Sequence, residues 1–257
     1  MKVFNGFDNL PHFTNPVVTV GSYDGVHAGH RKLLGKIGDT ARETGGESVV
    51  VTFSPHPREV LGGGEPVRLL TTLKEKTILL EQAGIDNLIV APFTREFSKL
   101  SSYDFVKHYL IDKIGVRTLV VGYNHHFGHN KTGDFDYLDR MGDRFGFDIY
   151  MVPRHDVDDD KVSSTIIRKL ICEGKVAQAS KFLGYPYFIV GRIDQGGAFV
   201  PDELSKLLPP QGRYAVSVSI PNDGQERTEL FVSNDGILHL ASMTGVAPGS
   251  TLAVTFI

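Results

Sequence analysis

Two histidines close to a glycine turn are the residues of this chain with the clearest potential for chemistry. Residues 21–30 read GSYDGVHAGH and follow an apolar run, Pro16–Val20. This pattern predicts a buried strand, a tight turn and a helix whose first turn carries His27 and His30 on one face. A helix N-terminus presents free N–H groups and a partial positive charge, which suits a phosphate group. The segment also carries glycines where close approach of a phosphate would need them: Gly21, Gly25 and Gly29.

A second polar cluster precedes a predicted helix later in the chain. Ser163, Ser164 and Thr165 are residues that cap helices well, and the apolar segment Ile166–Ile171 follows them. Their hydroxyls and the N–H groups of that helix end would form a second anion site, with Arg168 in the first turn. The simpler alternative for each cluster is a structural one: incidental histidines in the first, and plain capping beside a surface arginine in the second. The presence of both clusters in one chain favours a nucleotide-phosphate site.

Composition excludes several classes of protein. The 257 residues are 41% hydrophobic and 22% charged, with a formal net charge of −3, which is the balance of an ordinary globular protein. This charge gives no general attraction to nucleic acid or to an anionic membrane, so any phosphate-binding charge must be local. The single cysteine, Cys172, excludes an internal disulfide, and we expect it to be a small buried residue of an amphipathic helix. No signal peptide or membrane-length apolar run is visible, so we expect a cytoplasmic protein.

Residues 1–185 alternate between strand and helix patterns. The apolar runs predict strands that are buried on both faces: Val17–Val20, Ser48–Phe53, Asn87–Phe93, Thr118–Gly122 and Asp148–Val152. Helical patterns lie between them: Arg31–Thr44, Thr72–Ala83, Ser101–Gly115 and Phe135–Phe145. This alternation predicts an α/β domain with a parallel, doubly wound sheet. Ligands of such sheets bind beyond the carboxyl ends of the strands, where we expect one shared cleft.

The pattern changes near residues 184–187, after which helical patterns stop. Five further strands are predicted, separated by Gly, Pro, Asn and Asp turns: Tyr187–Ile193, Tyr214–Ile220, Glu229–Ser233, Ile237–Ala241 and Thr251–Ile257. Asn222-Asp223-Gly224 and Asn234-Asp235-Gly236 are strong turn signals. We therefore expect a second domain over residues 186–257, a small antiparallel β-barrel.

Several motifs resemble those of a known family. Gly21–His30 is similar to the signature of the nucleotidylyltransferase superfamily, and Ser163–Arg168 resembles its late Ser-Ser-Thr-x-Ile-Arg element. Further stretches resemble the prokaryotic FAD synthetases, which are bifunctional riboflavin kinase/FMN adenylyltransferase proteins: Thr52–Glu59, Phe97–Ser101 with Phe105-Val106, Val121–Gly128 and Leu183–Tyr187. The resemblance implies a Rossmann-like nucleotidylyltransferase domain over residues 1–185 and a riboflavin-kinase-like barrel over residues 186–257.

The resemblance also implies a reaction, in which ATP and FMN give FAD and pyrophosphate. The implied catalytic residues are His27, His30 and Arg168, which would contact the ATP phosphates and stabilise the transition state. The implied nucleotide-binding residues are Gly21, Ser22, Tyr23, Asp24, Gly29, Ser163, Ser164 and Thr165. Mg²⁺ would arrive with ATP and bridge its phosphate oxygens, since Mg²⁺ is usually held by substrate phosphates with few protein ligands. Of these residues, Asp24 is better suited to bracing the turn than to chemistry.

Flavin binding is implied for Asn124, Phe53 and His56. Many relatives carry Asp in place of Asn124, and His56 is equally suited to a structural role in its loop. His125, His126 and His129 suggest a metal, but no cysteine or carboxylate accompanies them at ligand spacing, so we predict no dedicated metal site. The expected partners are the small molecules ATP and FMN, without nucleic acid or membrane; no feature of the sequence indicates an oligomeric state.

The barrel departs from the family's kinase pattern. A Pro-Thr-Ala-Asn motif is expected between Gly191 and Leu207, but Ile193–Asp202 does not contain it. Ile237–Ala241 lacks the glutamate expected as a base, and the chain given stops before the family's C-terminal helical part. We therefore predict an FMN adenylyltransferase without riboflavin kinase activity. Three alternatives remain open: a complete bifunctional enzyme, a silent flavin or nucleotide sensor, and a nucleotidyltransferase with another acceptor.

Overall fold

The contacts within the chain divide it into two compact units. The computed structural model describes residues 1–62, 67–123, 127–128, 132–153, 156–157, 160–220, 224–241 and 246–257. The first unit comprises Met1–Tyr23, Gly29–Val67 and Thr77–His155, and the second comprises Asp24–Ala28, Arg68–Lys76 and Asp156–Ile257. Two short segments of the N-terminal half therefore belong to the same unit as the C-terminal hundred residues.

The first unit contains a six-stranded parallel sheet in the order β1-β4-β3-β2-β5-β6. Its strands are β1 Lys2–Asn5, β2 Val17–Val20, β3 Ser48–Ser54, β4 Asn87–Pro92, β5 Thr118–Gly122 and β6 Asp148–Val152. The residues of β2 to β5 are almost all buried, because these strands have a neighbour on each side and helices on the faces. The edge strands β1 and β6 are largely exposed.

Helices connect these strands. They are α1 Ala28–Glu43, α2 Pro57–Leu61, α3 Leu73–Gln82, α4 Ser102–Asp104, which continues as a π-helix over Phe105–Ile114, and α5 Phe135–Phe145. In α1 the buried Leu33, Leu34 and Ile37 recur at helical spacing, so that one face packs on the core. The core of this unit combines such residues with alternate residues of the strands, for example Val18 and Val51.

The second unit contains a closed antiparallel barrel in the order β10-β13-β12-β11-β14-β9. Its strands are β9 Phe188–Ile193, β10 Phe199–Pro201, β11 Gly212–Ile220, β12 Gly224–Val232, β13 Leu238–Leu240 and β14 Thr251–Phe256. A short hairpin, β7 Asp156–Val157 and β8 Asp160–Lys161, and two helices, α6 Ser164–Cys172 and α7 Val176–Leu183, precede it. Residues of α6 and α7 share one hydrophobic core with the barrel strands.

The predicted fold class, an α/β parallel sheet followed by an antiparallel barrel, is confirmed. Two expectations about burial were wrong. Cys172 is exposed, because it is the last residue of α6 and follows the core-facing Leu170 and Ile171. Strand β6 is not buried on both faces, because it lies at the edge of the sheet. The predicted domain boundary between residues 185 and 186 stays a prediction.

The turns predicted in the barrel have different outcomes. Asn234–Gly236 does form a turn between β12 and β13, with Gly236 at φ +79°. The predicted turn at Asn222–Gly224 begins outside the described residues. Among the residues that are described, no helix combines the length and the apolar character needed to cross a lipid bilayer.

Candidate active site

A cavity of about 480 Å³ lies in the first unit, at the carboxyl ends of the parallel strands. Gly21 follows β2, Phe53 is the second-last residue of β3, Phe93 follows β4 and Gly122 ends β5, and all four line the cavity. Parallel strands bring residues of this kind together because their carboxyl ends share one edge of the sheet. Five of the residues singled out in the sequence analysis line it: Gly21, Ser22, Tyr23, His30 and Phe53.

One wall of this cavity is aromatic. The ring centroid of Phe53 lies 5.4 Å from that of Phe93 and 5.9 Å from that of Phe97. Phe97 continues the series to Phe105 at 6.0 Å, and Phe105 reaches Phe127 at 5.7 Å. Such a wall suits a flat aromatic ligand, because ring pairs attract at these separations and the surface is apolar. Phe97, Phe105 and Phe127 lie within the family-like stretches of the sequence, but no role in the site was predicted for them.

The turn after β2 places an aromatic ring beside His30. Tyr23 has a positive φ of 46° and is buried, and its hydroxyl lies 2.7 Å from the Thr19 hydroxyl. Burial raises the pKa of Tyr23 well above its usual value, so the phenol is neutral. Its ring meets the His30 ring edge-on at 5.1 Å. A side chain at Gly21 would begin 3.0 Å from the Tyr23 ring, which explains why a glycine stands there.

In the second unit, Asp24 connects two motifs that are far apart in the sequence. Its Oδ1 accepts hydrogen bonds from the N–H groups of Leu70 (2.9 Å) and Thr71 (3.1 Å). Its Oδ2 accepts one from Arg168 Nη2 at 2.5 Å, and its backbone carbonyl accepts one from the Ser164 hydroxyl at 2.9 Å. The Asp24 side chain is only 3% exposed. The second unit therefore brings together part of the glycine turn and the Ser163–Arg168 element.

Arg168 is largely committed to this network. Its Nε donates to the Arg68 carbonyl at 3.1 Å, and its side chain is 18% exposed. Ser163 caps α6, since its hydroxyl accepts a hydrogen bond from the Ile166 N–H at 3.3 Å, whereas Thr165 is exposed in the first turn. The geometry gives Arg168 a bracing role towards Asp24; its catalytic role stays a prediction.

His27 lies directly before the first residue of α1, so it is not within the first helical turn as expected. It is 8% exposed. Burial lowers the pKa of His27 to about 4, and the nearby Asp24 carboxylate only partly opposes this effect. At neutral pH the imidazole is therefore uncharged. An uncharged imidazole still donates one hydrogen bond, and a bound phosphate group would raise the pKa of this histidine.

The remaining predicted residues have other environments. His56 caps α2, because its Nδ1 accepts a hydrogen bond from the Arg58 N–H at 3.2 Å, and it does not line the cavity, although Pro57 does. Gly29 lies in the first turn of α1. Asn124 falls outside the described residues, as do His125, His126 and His129.

The described residues include no group of three His, Cys, Asp or Glu side chains placed to hold a metal ion. Among the described residues, the cavity lining carries no carboxylate, and Asp24 is occupied by Arg168 and two N–H groups. This donor set fits a Mg²⁺ ion that arrives on the phosphates of its nucleotide rather than one held by protein ligands.

Comparison with known proteins decides the family. The model of the FAD synthetase family matches residues 10–166, which include the glycine turn and the start of the Ser163–Arg168 element. The chain belongs to the FAD synthetase family. This FAD synthetase family member is 32% identical over 234 residues to a bifunctional riboflavin kinase/FMN adenylyltransferase of Escherichia coli K12, covering 85% of the chain and 73% of that protein. It is 35% identical over 258 residues to the protein of the same description from Pseudomonas fluorescens, covering 93% and 82%.

A solved structure shares the fold of this FAD synthetase family member. It is a crystal structure described as a macrolide-efflux protein from Streptococcus pneumoniae, with a TM-score of 0.86 and 23% sequence identity. The match covers 100% of this chain and 90% of that one. At this level of identity the similarity concerns the fold alone.

Proposed function

We propose that the chain is an FMN adenylyltransferase, which makes FAD and pyrophosphate from FMN and ATP. The observation that carries the proposal is the match to the FAD synthetase family over residues 10–166, the part of the chain that contains the aromatic cavity and the glycine turn. We further propose that residues 1–185 form the nucleotidylyltransferase domain and residues 186–257 the barrel domain.

The chemistry needs no strong general base. The phosphate of FMN is ionised at neutral pH, so one of its oxygens attacks the α-phosphorus of ATP in line while pyrophosphate leaves. Catalysis then depends on positioning and on stabilising the charge that develops on the phosphates. Mg²⁺, when bound to ATP, would neutralise part of that charge.

The proposed nucleotide site uses uncharged donors more than formal charges. His27 and His30 donate hydrogen bonds to ATP phosphates, and the first N–H groups of α6, with Ser163 and Thr165, bind the leaving pyrophosphate. Arg168 adds positive potential and keeps Asp24 in place, as its 2.5 Å bond to that carboxylate supports.

The proposed flavin site is the aromatic cavity. Its volume of about 480 Å³ and its phenylalanine wall suit the flat aromatic ring system of a flavin. Phe53 contacts this ring in the proposal, and Phe97 is added to the predicted set because it meets both Phe53 and Phe105. In the proposal His56 also binds the flavin, from its position beside the lining residue Pro57. Asn124 binds the flavin as the resemblance implies.

The test is FAD formation by the purified protein supplied with FMN, ATP and Mg²⁺, followed by chromatography. We expect His27→Ala and His30→Ala each to lower kcat/KM by about 100-fold or more, because each removes a donor that acts on developing charge. His108→Ala is the matched control, since the His108 side chain is 61% exposed and lies on the π-helix. Absence of FAD with the unaltered protein would overturn the proposal.

A bifunctional enzyme is the second candidate, favoured by the bifunctional descriptions of the two bacterial relatives. Against it, the interval in which the kinase motif is expected forms a tight hairpin between β9 and β10. The Asp194 carboxylate closes this hairpin by accepting hydrogen bonds from the N–H groups of Gly196 (2.9 Å) and Ala198 (2.8 Å). We therefore propose that riboflavin is not a substrate. A cytoplasmic location and the absence of nucleic-acid and membrane partners stay predictions.

A further inference from the structure

In the second unit, residues 68–76 are bonded along their length to residues 202–207, the first part of the connection between β10 and β11. The Leu69 N–H donates to the Ser205 carbonyl (2.6 Å), and the Leu207 N–H donates to the Leu69 carbonyl (2.8 Å). Side chains extend the series in both directions: Arg68 to the Leu204 carbonyl (2.6 Å), the Leu73 N–H to Glu203 (2.9 Å) and Lys74 to Asp202 (2.8 Å). We call residues 202–207 the barrel strap.

The centre of this contact is a buried ion pair. Lys206 Nζ lies 2.7 Å from Glu75 Oε2, and the two side chains are 1% and 0% exposed. Lys206 Nζ also donates to the Leu70 carbonyl at 2.8 Å and lies 4.2 Å from the centre of the Tyr187 ring. Glu75 accepts two further hydrogen bonds, from the N–H groups of Val190 (2.8 Å) and Thr72 (2.9 Å).

The same short segment holds Asp24. Leu70 accepts from Lys206 through its carbonyl and donates to Asp24 through its N–H group. Thr71 donates to Asp24 through its N–H group and accepts from the Gly25 N–H through its hydroxyl at 2.9 Å. A continuous series of hydrogen bonds therefore runs from the barrel strap through residues 70–71 to the turn that carries Asp24 and to Arg168.

Stability alone is a poor explanation for the pair. Removing two charges from water costs several kcal/mol for each ion, and apolar residues of similar volume often stabilise a fold as well or better. Such pairs are better explained where they fix one particular geometry, and here the geometry concerned is that of residues 70–71. Burial lowers the pKa of Lys206, while Glu75 opposes that effect.

We propose that Lys206 and Glu75 are positioning residues for ATP: they fix residues 70–71, which orient Asp24 and thereby Arg168 and the start of α6. This inference rests on the proposed function in one respect, namely that these elements bind the nucleotide. It gives the barrel a role that requires no kinase chemistry.

The test measures binding of an ATP analogue with a methylene group between its α- and β-phosphorus atoms, by calorimetry, in the full-length protein with Mg²⁺. We expect Lys206→Met to raise the Kd at least tenfold. The measurement is made at a temperature well below the unfolding temperature of the variant, so that the variant is folded. Lys206→Arg keeps the charge but is larger, so it is expected to weaken binding less than Lys206→Met does. Glu75→Gln provides a second route to the same loss if Lys206→Met does not fold.

Val254→Ala is the matched control. Val254 is fully buried in the barrel core, so its truncation lowers the unfolding temperature, but its side chain makes no hydrogen bond to residues 68–76. We expect this variant to keep the original Kd. Unchanged binding by Lys206→Met and Glu75→Gln, or equal weakening by Val254→Ala, would overturn the inference. If the unaltered protein binds the analogue but makes no FAD, the proposed function fails alone; if it makes FAD and the Lys206→Met and Glu75→Gln variants bind the analogue as it does, this inference fails alone.

Discussion

His27 and Asp24 lie in the same turn, and both are buried. Asp24 is paired with Arg168 at 2.5 Å, whereas the dominant influence on the pKa of His27 is burial itself. Burial disfavours the charged form of a histidine. This difference leads to two predictions at the scale of single residues.

The first prediction concerns pH. The pKa of His27 is about 4 in the folded protein and about 6.5 in an unfolded chain, so the unfolded chain binds more protons between these values. The stability that the neutral imidazole contributes is present above about pH 6.5 and is lost as the pH falls towards 4. We expect the free energy of unfolding to be about 2 kcal/mol lower at pH 5 than at pH 7 from this group. Urea unfolding at both values measures it.

His27→Gln should remove this part of the pH dependence, because glutamine does not titrate. His108→Gln, at a histidine whose side chain is 61% exposed, should leave it in place. An equally steep fall in stability in His27→Gln would contradict the assignment.

The second prediction concerns the pair of Asp24 and Arg168. Asp24→Asn leaves a largely buried guanidinium without its partner, so we expect a loss of about 3 kcal/mol in the free energy of unfolding. Asp39→Asn is the control, because it breaks an exposed ion pair between Asp39 and Arg42. The Arg42 side chain is 74% exposed and that of Asp39 is 58% exposed. Exposed pairs of this kind contribute less than about 1 kcal/mol. Similar losses in the two variants, measured by urea unfolding, would show that Asp24 has no bracing role.

At the scale of elements, the turn between β2 and α1 is the most unusual part of the backbone. Tyr23, Gly25 and Val26 have φ values of +46°, +86° and +36°. A positive φ is costly for residues with a side chain, above all for a β-branched valine, and persists only where surrounding contacts enforce it. The hydrogen bonds from Gly25 to Thr71 and from Tyr185 to the Gly25 carbonyl are such contacts.

The third prediction is that Gly25→Ala destabilises the protein by about 3 kcal/mol, from backbone strain together with overpacking. A Cβ at this position would lie 2.9 Å from Leu70 Cδ1 and 3.4 Å from Leu183 Cδ2. Gly84→Ala is the control, since Gly84 has a φ of +76° but open space around it, and should lose only about 1 kcal/mol. Equal losses in thermal or urea unfolding would mean that Leu70 moves aside freely.

The sequence predicts strands well where a short apolar run lies between helical patterns. Strands β2, β5 and β6 were predicted with their observed limits, because such runs indicate parallel strands, even where the strand lies at an exposed edge, as β6 does. Strand β1 was missed because it is an exposed edge strand without an apolar run, and β10 because it has only three residues. The motifs of the candidate site can also be located from the sequence. The bonds of Asp24 to Leu70 and Thr71 cannot be predicted from it, since nothing local indicates a partner 46 or 47 residues away.

At the scale of the whole molecule, segments that are neighbours in the sequence do not always belong to the same compact unit. Periodicity predicted a sheet followed by a barrel, and both are present. It did not predict that Asp24–Ala28 and Arg68–Lys76 belong with residues 156–257, because that grouping depends on hydrogen bonds between distant segments. The hairpin that Asp194 closes in the barrel bears on whether riboflavin is a substrate.

The fourth prediction is a difference between two flavins. Supplied with ATP and Mg²⁺, the full-length protein should convert FMN to FAD but should form no FMN from riboflavin, because the hairpin at Asp194 stands where the kinase motif is expected. Chromatography of the two reactions, run in parallel with protein-free controls, separates the products. FMN accumulating from riboflavin would establish the bifunctional enzyme instead.

The bonds of Glu75 limit how the gene can be shortened. A polypeptide ending at residue 185, the proposed end of the transferase domain, would lack Lys206 and Val190, which supply two of the bonds to this carboxylate. Glu75 would lose its cation, and the inward faces of α6 and α7 would meet water. Anyone trimming this protein to the proposed domain should therefore redesign position 75 and those two helices first.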